Sequence, residues 1–310
     1  MKLLIAYDGS DCADAALKDL RRAGLPEVAE VTVLTAADVF LPPPIKEEDD
    51  KFPFQVPAGV RRAHQLAAAA LEEAKGLAGR AASRVRTDFP RWDVRAEACA
   101  DSPAWALVKK ADEWKPDLVV VGAQGHNVLG GRLILGSVSQ RVLYEARCSV
   151  RVARESKGKY GVGARILVGV DGSKDSAAAI DAVARRVWPV GSKARIVSVL
   201  DTVMSVTHGS EGEPSAVRWV EVDNEEEWRW VKDIFESSAE KLRQVGLKTK
   251  VVMKKGNPKR QLLKEAEDWR ADSIFVGAKG TRGVDRILLG SVSAAVAASA
   301  PCSVEVVRPA

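Results

Sequence analysis

Leu4-Ile5-Ala6-Tyr7-Asp8-Gly9-Ser10 returns as Leu167-Val168-Gly169-Val170-Asp171-Gly172-Ser173, 163 positions further along the chain. In both versions a short apolar run meets an acid and then two small, turn-forming residues. That is the pattern of a strand covered on both faces and ending at a loop. The echo continues downstream. Ala111-Asp112-Glu113-Trp114-Lys115-Pro116-Asp117-Leu118-Val119-Val120-Val121-Gly122 answers Ala266-Glu267-Asp268-Trp269-Arg270-Ala271-Asp272-Ser273-Ile274-Phe275-Val276-Gly277 at an offset of 155, and Cys148-Ser149-Val150 answers Cys302-Ser303-Val304 at 154. A period of half the chain is too long for a solenoid unit and fits a duplicated domain. The offset shrinks because the first copy is longer between its acid and its glycine-rich segment. Leu41 to Pro57, with its Pro-Pro-Pro and Glu-Glu-Asp-Asp, is the expected place for the excess.

Length agrees with two domains, since 310 residues is about twice the ~150-residue prior for one. The expected boundaries are residues 1–154 and 164–310, with a Gly-, Lys- and Ser-rich linker over 155–163. A hydrophobic share of 46% with 29% charged residues can build a core in each half and excludes a wholly disordered chain. Spanning a bilayer takes ~20 consecutive apolar residues, and no stretch comes close. The apolar start from Met1 meets Asp8 after Tyr7 and lacks the features of a secretory signal, so a soluble, cytoplasmic protein is expected. The net charge of +5, from 47 basic and 42 acidic residues, is spread along the chain, which argues against nucleic acid as a partner. Cys12, Cys99, Cys148 and Cys302 show neither C-x-x-C nor zinc spacing, and His64, His126 and His208 lie far apart, so no metal site is expected.

Within each copy, strand-like and helix-like stretches alternate. Lys2–Ala6, Val31–Leu34 and Leu118–Val121 read as strands, and Ala13–Arg22, Arg61–Val85 and Pro103–Trp114 as helices. The second copy repeats this with strands over Arg165–Gly169, Ala194–Leu200 and Ser273–Val276 and helices over Ser176–Val187, Glu225–Leu242 and Pro258–Trp269. Asp223 and Asn224, ahead of three glutamates, form a predicted N-cap. Such alternation implies right-handed crossovers onto a doubly wound parallel sheet, which takes its ligand outside the carboxyl ends of its strands.

Two features fall at those strand ends. One is the acid closing the first strand, Asp8 or Asp171. The other follows the fourth strand, where Gly277-Ala278-Lys279-Gly280 is separated by nine residues from Gly290-Ser291-Val292-Ser293 and an Ala-rich helix. Glycines let a backbone approach phosphate closely. The amides of Gly290, Ser291 and Val292 are expected to be unpaired at the helix start, where the dipole favours an anion. Other phosphate and nucleophile signatures are missing. There is no G-x-x-x-x-G-K-[ST] loop and no G-x-S-x-G elbow, and Gly161-Val162-Gly163 precedes a strand instead of following one. No carboxylate pair stands out for acid–base work.

The G-x-x-G, nine-residue, G-S segment of the second copy resembles the ATP-binding signature of the universal stress protein family. The strand-one acid, Gly256-Asn257-Pro258 before a helix, and Cys-Ser-Val opening the last strand belong to the same resemblance, which spans both copies. It implies two tandem α/β domains, each a five-stranded parallel sheet in the order 3-2-1-4-5. It also implies pairing through the last strands, here Cys148–Ala153 with Cys302–Val307 inside one chain, which would cover two exposed edges. The implied cofactor is ATP, with Mg2+ held by the phosphates. Asp171 and the backbone near Val199 would contact the adenosine, Gly277, Lys279 and Gly280 would line the ribose and phosphates, and Gly290, Ser291, Val292 and Ser293 would hold the phosphate tail. The matching positions of the first copy are Asp8, Ala36, Gly122, Gln124, Gly125, Gly136, Ser137, Val138 and Ser139.

The first copy departs from the pattern in one respect: ten residues separate Gly125 from Gly136. An extra residue can displace a chain by ~3.3–3.6 Å, enough to break a hydrogen bond, unless Gly130-Gly131 absorbs it. The second site is therefore expected to be the tighter. The function implied is a nucleotide-responsive stress-response binding module; a slow ATP hydrolase or nucleotidyl transferase using Lys279, or a scaffold that binds nothing, are the alternatives. Association of whole chains as homodimers is left open. Trp114 and Trp269 read as core residues. Trp228 and Trp230, two apart, cannot share a helical face, so at least one of them is a candidate for exposure; with Trp219 they leave open a partner surface or an inter-domain contact, beside the plainer reading as ordinary packing.

Overall fold

The computed structural model describes residues 1–39, 58–124, 135–155, 163–200, 225–280 and 289–309. The first half runs β1 (Lys2–Ala6), α1 (Asp11–Asp19), β2 (Glu30–Ala37), α2 (Ala58–Asp88), β3 (Asp93–Ala100), α3 (Pro103–Trp114), β4 (Leu118–Gly122), α4 (Ser137–Glu145) and β5 (Ser149–Ala153). The second runs β6 (Arg165–Val170), α5 (Lys174–Ala184), β7 (Lys193–Leu200), α6 (Glu225–Gln244), β8 (Lys248–Lys255), α7 (Pro258–Asp268), β9 (Ser273–Gly277), α8 (Ser291–Ser299) and β10 (Ser303–Val307). The expected linker, the Leu41–Pro57 segment, Trp219 and the Asp223-Asn224 cap fall wholly or largely outside the described residues, and Trp228 and Trp230 belong to α6.

All ten strands lie in one sheet, ordered β3-β2-β1-β4-β5-β10-β9-β6-β7-β8. Inside each half the order is 3-2-1-4-5 and every neighbour is parallel. The halves meet where β5 and β10 pair antiparallel, with Val152 opposite Val304, Arg151 opposite Glu305 and Val150 opposite Val306. The chain reverses its winding direction between β1 and β4 and again between β6 and β9, leaving a crevice at the carboxyl ends of those strands.

Strands β1, β4, β6 and β9 are apolar and largely inaccessible to water, as expected of parallel strands covered by helices on both faces. On one face a single cluster runs through both halves, joining Val142 and Leu143 of α4 to Val296 and Ala297 of α8 across Val150, Val152, Val304 and Val306. On the other face each half keeps its own cluster, under α1 and α2 and under α5 and α6. Trp114 and Trp269 are half-buried against the shared cluster, and the Arg195 guanidinium covers the Trp269 ring at 4.6 Å.

Helices α1 and α5 begin earlier than their apolar periodicity suggests. Ser10 and Ser173 cap them, each hydroxyl accepting an amide three residues on, from Ala13 and Ser176, at 3.1 Å. The preceding Gly9 and Gly172 hold φ of +78° and +82°, a conformation that favours glycine. Helix α5 also stops at Ala184, short of the expected Val187, and Trp188 folds back to donate its Nε1–H to the Val183 carbonyl at 2.9 Å. The ring of Trp188 rests on Gly24 of the first half, where an added Cβ would lie 2.8 Å from it.

Phe275, at the centre of β9, is fully buried edge-on to Trp188, at 6.1 Å between ring centroids. Phe275→Ala should cost about 3–5 kcal/mol and lower the urea midpoint accordingly; an unchanged midpoint would contradict this packing.

Candidate functional site

At the end of β6, one oxygen of Asp171 accepts the Ser173 amide at 3.0 Å. The neighbouring strand β9 ends at Gly277 directly against the first turn of α5. A Cβ there would come within 2.5 Å of the Asp175 carbonyl carbon, so only glycine allows the approach. The chain then passes Ala278, whose amide donates to Val307 at 2.8 Å, and reaches Lys279. The first turn of α5 holds Lys279 on both sides: its amide donates to Asp175 Oδ2 at 2.8 Å and its carbonyl accepts the Ser173 hydroxyl at 3.3 Å. At Gly280 the backbone faces the acid, since a Cβ would stand 2.6 Å from Asp171 Oδ2.

Residues 281–288 lie outside the described chain, which resumes before α8. Leu289 is buried in the shared core, and the Gly290 amide donates to the Ala278 carbonyl at 2.7 Å. This corrects the sequence reading, in which that amide is unpaired. The Ser293 hydroxyl is likewise committed, donating to the Gly277 carbonyl at 2.5 Å, so its backbone amide and not its hydroxyl hydrogen is left to serve an anion. Gly290 is the N-cap of α8 and offers no side-chain acceptor, so among the described residues no N-cap side chain takes the first-turn amides of Ser291, Val292 and Ser293. The donor turn stands beside Lys279, because a Cβ on Gly290 would be 3.7 Å from the Lys279 Cα and 3.2 Å from the Ala278 carbonyl oxygen. Val199, half-buried near the end of β7, is paired in register with Lys254.

The first half reproduces most of this geometry. Asp8 accepts the Ser10 amide at 3.0 Å, Gly122 abuts Cys12 where a Cβ would be 2.8 Å from its carbonyl oxygen, Gly136 donates to Ala123 at 2.8 Å, and Ser139 donates to Gly122 at 2.5 Å. Ala36, Ser137 and Val138 occupy the places of Val199, Ser291 and Val292, while Gly125 falls outside the described residues. Both glycine-rich segments therefore re-enter on the same bond, although the first copy is one residue longer in between. The copies differ elsewhere. Position 12 is a cysteine where the second half has Asp175, position 124 is Gln where it has Lys279, and the Ser10 hydroxyl turns to Asp8 at 2.6 Å. Asp175 was not singled out from sequence, although the mismatch with Cys12 at the fifth position of Asp-Gly-Ser-x-Asp was visible.

Taken together, the second half offers an acceptor carboxylate, a lysine and a turn of uncapped amides around one crevice. That set suits a ligand with hydroxyls at one end and an anion at the other. Among the described residues no group of three or more His, Cys, Asp or Glu could hold a metal ion. No helix among them is long and apolar enough to cross a membrane. An open depression lined by Arg243 and residues 246–250 lies at the amino end of β8, away from the strand ends that carry the crevice. Cys148 and Cys302 are not activated thiols. Burial pushes them up to about 11 and about 12, outweighing the pull of Arg308 and Arg154.

A profile of the universal stress protein family matches residues 1–154 and 164–308. A universal stress protein of Thermus aquaticus is 34% identical over 152 residues, 49% of this chain and 97% of its own. One from Mycolicibacterium smegmatis is 30% identical over 234 residues, covering 70% of this chain and 69% of the relative. The crystal structure of a universal stress protein from Archaeoglobus fulgidus superimposes with a TM-score of 0.64 over 99% of this chain and 98% of that one, at 20% identity, a likeness of fold.

Two expected outcomes follow from the site. Gly277→Ala should destabilise the second half by about 1–3 kcal/mol, because a methyl group has no space against α5; a wild-type urea midpoint would contradict that contact. The folded-state thiol values lie above the unfolded value of ~8.5, so their contribution is intact below that pH and is lost as pH rises toward 11. The urea midpoint should fall across that window and fall less in Cys148→Ala; an identical slope would contradict the burial of the thiol.

Proposed function

The chain belongs to the universal stress protein family, and on that premise we propose that its second half binds an adenine nucleotide, ATP with Mg2+ held by its phosphates, whose presence alters the surface shown to partners. The observation that carries this is the convergence of Asp171, Lys279 and the uncapped first turn of α8 on one crevice. Asp171 would accept a ribose hydroxyl. Adenine would lie near the backbone of Val199. The phosphates would take the amides of Ser291–Ser293 and the Lys279 ammonium, where charge-assisted hydrogen bonds are strongest.

The first half is the weaker site in this reading. It carries neutral Gln124 at the phosphates, and Cys12 supplies no carboxylate to fix the turn as Asp175 does. Since both segments close on the same bond, loop length contributes less to the ranking than these two substitutions.

Lys279→Gln tests the assignment cleanly, whereas a larger residue at Gly290 would also press on the Ala278 carbonyl. Calorimetric titration of the full chain should show the variant weakening ATP about tenfold or more, as for loss of a hydrogen bond to a charged group, while adenosine binding changes little. Asp171→Ala should weaken both ligands. Absence of ATP binding by the wild type, or equal loss of ATP and adenosine in Lys279→Gln, would overturn the reading. Nucleotide released on denaturing the purified protein separates a binding module, which yields ATP, from a hydrolase, which accumulates ADP.

A further inference from the structure

The seam between the halves contains a charge arrangement that the nucleotide reading does not use. The last strand of the first half reads Cys148-Ser149-Val150-Arg151-Val152-Ala153-Arg154, and that of the second reads Cys302-Ser303-Val304-Glu305-Val306-Val307-Arg308. The two differ only at 151/305 and 153/307. Because Arg151 lies directly opposite Glu305, and each holds the same place in its own copy, the local twofold axis relating the two strands passes between them. A residue on such an axis faces its own counterpart, so in a pairing of two identical halves it would face itself.

Both side chains are out of contact with water, at 0% and 1% exposure. Arg151 Nη1 meets Glu305 Oε2 at 3.4 Å. Each partner is also neutralised within its own half. Arg151 donates to both oxygens of Asp19, at 2.6 and 3.1 Å, and Arg186 Nη2 meets Glu305 Oε1 at 2.5 Å. Charges thus alternate from Asp19 through Arg151 and Glu305 to Arg186, and the sequence of signs stays unbroken only where a first half meets a second half. Two first halves would bring two guanidinium groups together at the axis, and two second halves would bring two carboxylates together, in a dry seam where the repulsion of like charges is only partly offset by Asp19 or Arg186 of the same half.

Arg151 also donates to the Ser273 hydroxyl at 2.9 Å, Arg186 to the Ala23 carbonyl, and the Ser303 hydroxyl to Asp19 at 2.8 Å, contacts across the seam at positions the repeat does not share. The terminal arginines do not make this distinction. Arg154 donates to the Ala297 carbonyl at the end of α8 at 2.6 Å, and Arg308 donates to the Leu143 carbonyl at the end of α4 at 2.7 Å. These two arginines are equivalent by the repeat, so any pairing of halves would retain them. The valines on either side of the axis are equivalent as well.

We propose that the opposed charges at Arg151 and Glu305 choose the partner of each last strand, so that β5 accepts β10 and rejects a second β5, and β10 rejects a second β10. Shared apolar contacts hold the seam together, and this pair, supported by the bonds from Arg151 to Ser273 and from Arg186 to the Ala23 carbonyl, decides what may occupy it. A buried ion pair adds little net stability against an apolar substitute, whereas discrimination through repulsion is its natural use.

The test keeps every residue of the chain. A protease site is placed in the 156–162 segment, the folded protein is cut, and the mixture of halves is unfolded in urea, refolded and weighed by native mass spectrometry. The wild type should return more than nine-tenths of its paired species as one first half with one second half. A statistical mixture, about half of it homotypic, would overturn the proposal. Glu305→Gln keeps the shape but removes the like charge between two β10 strands, and should yield second-half pairs at least fivefold above wild type; failure to do so overturns it equally. If the cut halves do not refold, the uncut chain supplies the measurement. Glu305→Arg should lower the urea midpoint, and Arg151→Gln added to it should recover a large part of the loss; no recovery would show that opposition at this pair is not the cost.

Discussion

Gly277 sits at the end of β9 with its Cα pressed on the Asp175 backbone, and the route of the chain beyond it follows from that contact. With no side chain in the way, Lys279 comes within hydrogen-bonding reach of the start of α5, and Asp175 and Ser173 hold it there. The Ala278 carbonyl is then positioned to take the Gly290 amide, and the Gly277 carbonyl to take the Ser293 hydroxyl. Those two bonds set where α8 begins. The crevice is thus a consequence of how closely a strand end and a helix start can approach. Gly122 and Cys12 repeat the constraint in the first half.

What the halves do to each other is a separate matter. Each would end in an open edge strand, a ready template for unwanted pairing, and the antiparallel pairing of β5 with β10 covers both edges. The apolar cluster beneath α4 and α8 is continuous across that seam. Both helices that begin at a candidate site therefore end on an arginine from the opposite half, Arg154 for α8 and Arg308 for α4. Cations at a helix carboxyl end complement its dipole. This places the two candidate sites at the far ends of elements held in place by the domain contact.

Much of the fold was legible in the sequence because the buried strands are short, apolar and repeated, and repetition distinguishes a pattern from an accident. The order of strands came from family resemblance and not from periodicity, which carries no information on which strands are neighbours. The Asp-Gly-Ser segments were read for their acids, while their structural work lies in Ser10 and Ser173 as caps and in Gly9 and Gly172 at positive φ. The same emphasis on ligands treated Gly277, Ser139 and Ser293 as phosphate contacts. Gly277 is glycine because α5 leaves no room, and both serine hydroxyls are committed to strand-end carbonyls. Close approach of two backbones leaves no trace in hydrophobic patterning. The Asp19–Arg151–Glu305–Arg186 chain was invisible for a related reason: its members are far apart in sequence, and isolated charges ordinarily read as surface residues.

We propose that the opening above Gly277, bounded by Asp171, Lys279 and the start of α8, is a nucleotide site. A crystal of the full chain soaked with ATP and Mg2+ examines it most directly. The expected result is phosphate density within hydrogen-bonding distance of the Ser291–Ser293 amides, with the ribose against Asp171. Density at the amino end of β8 instead, or a crevice filled by a side chain of the protein itself, would contradict the claim.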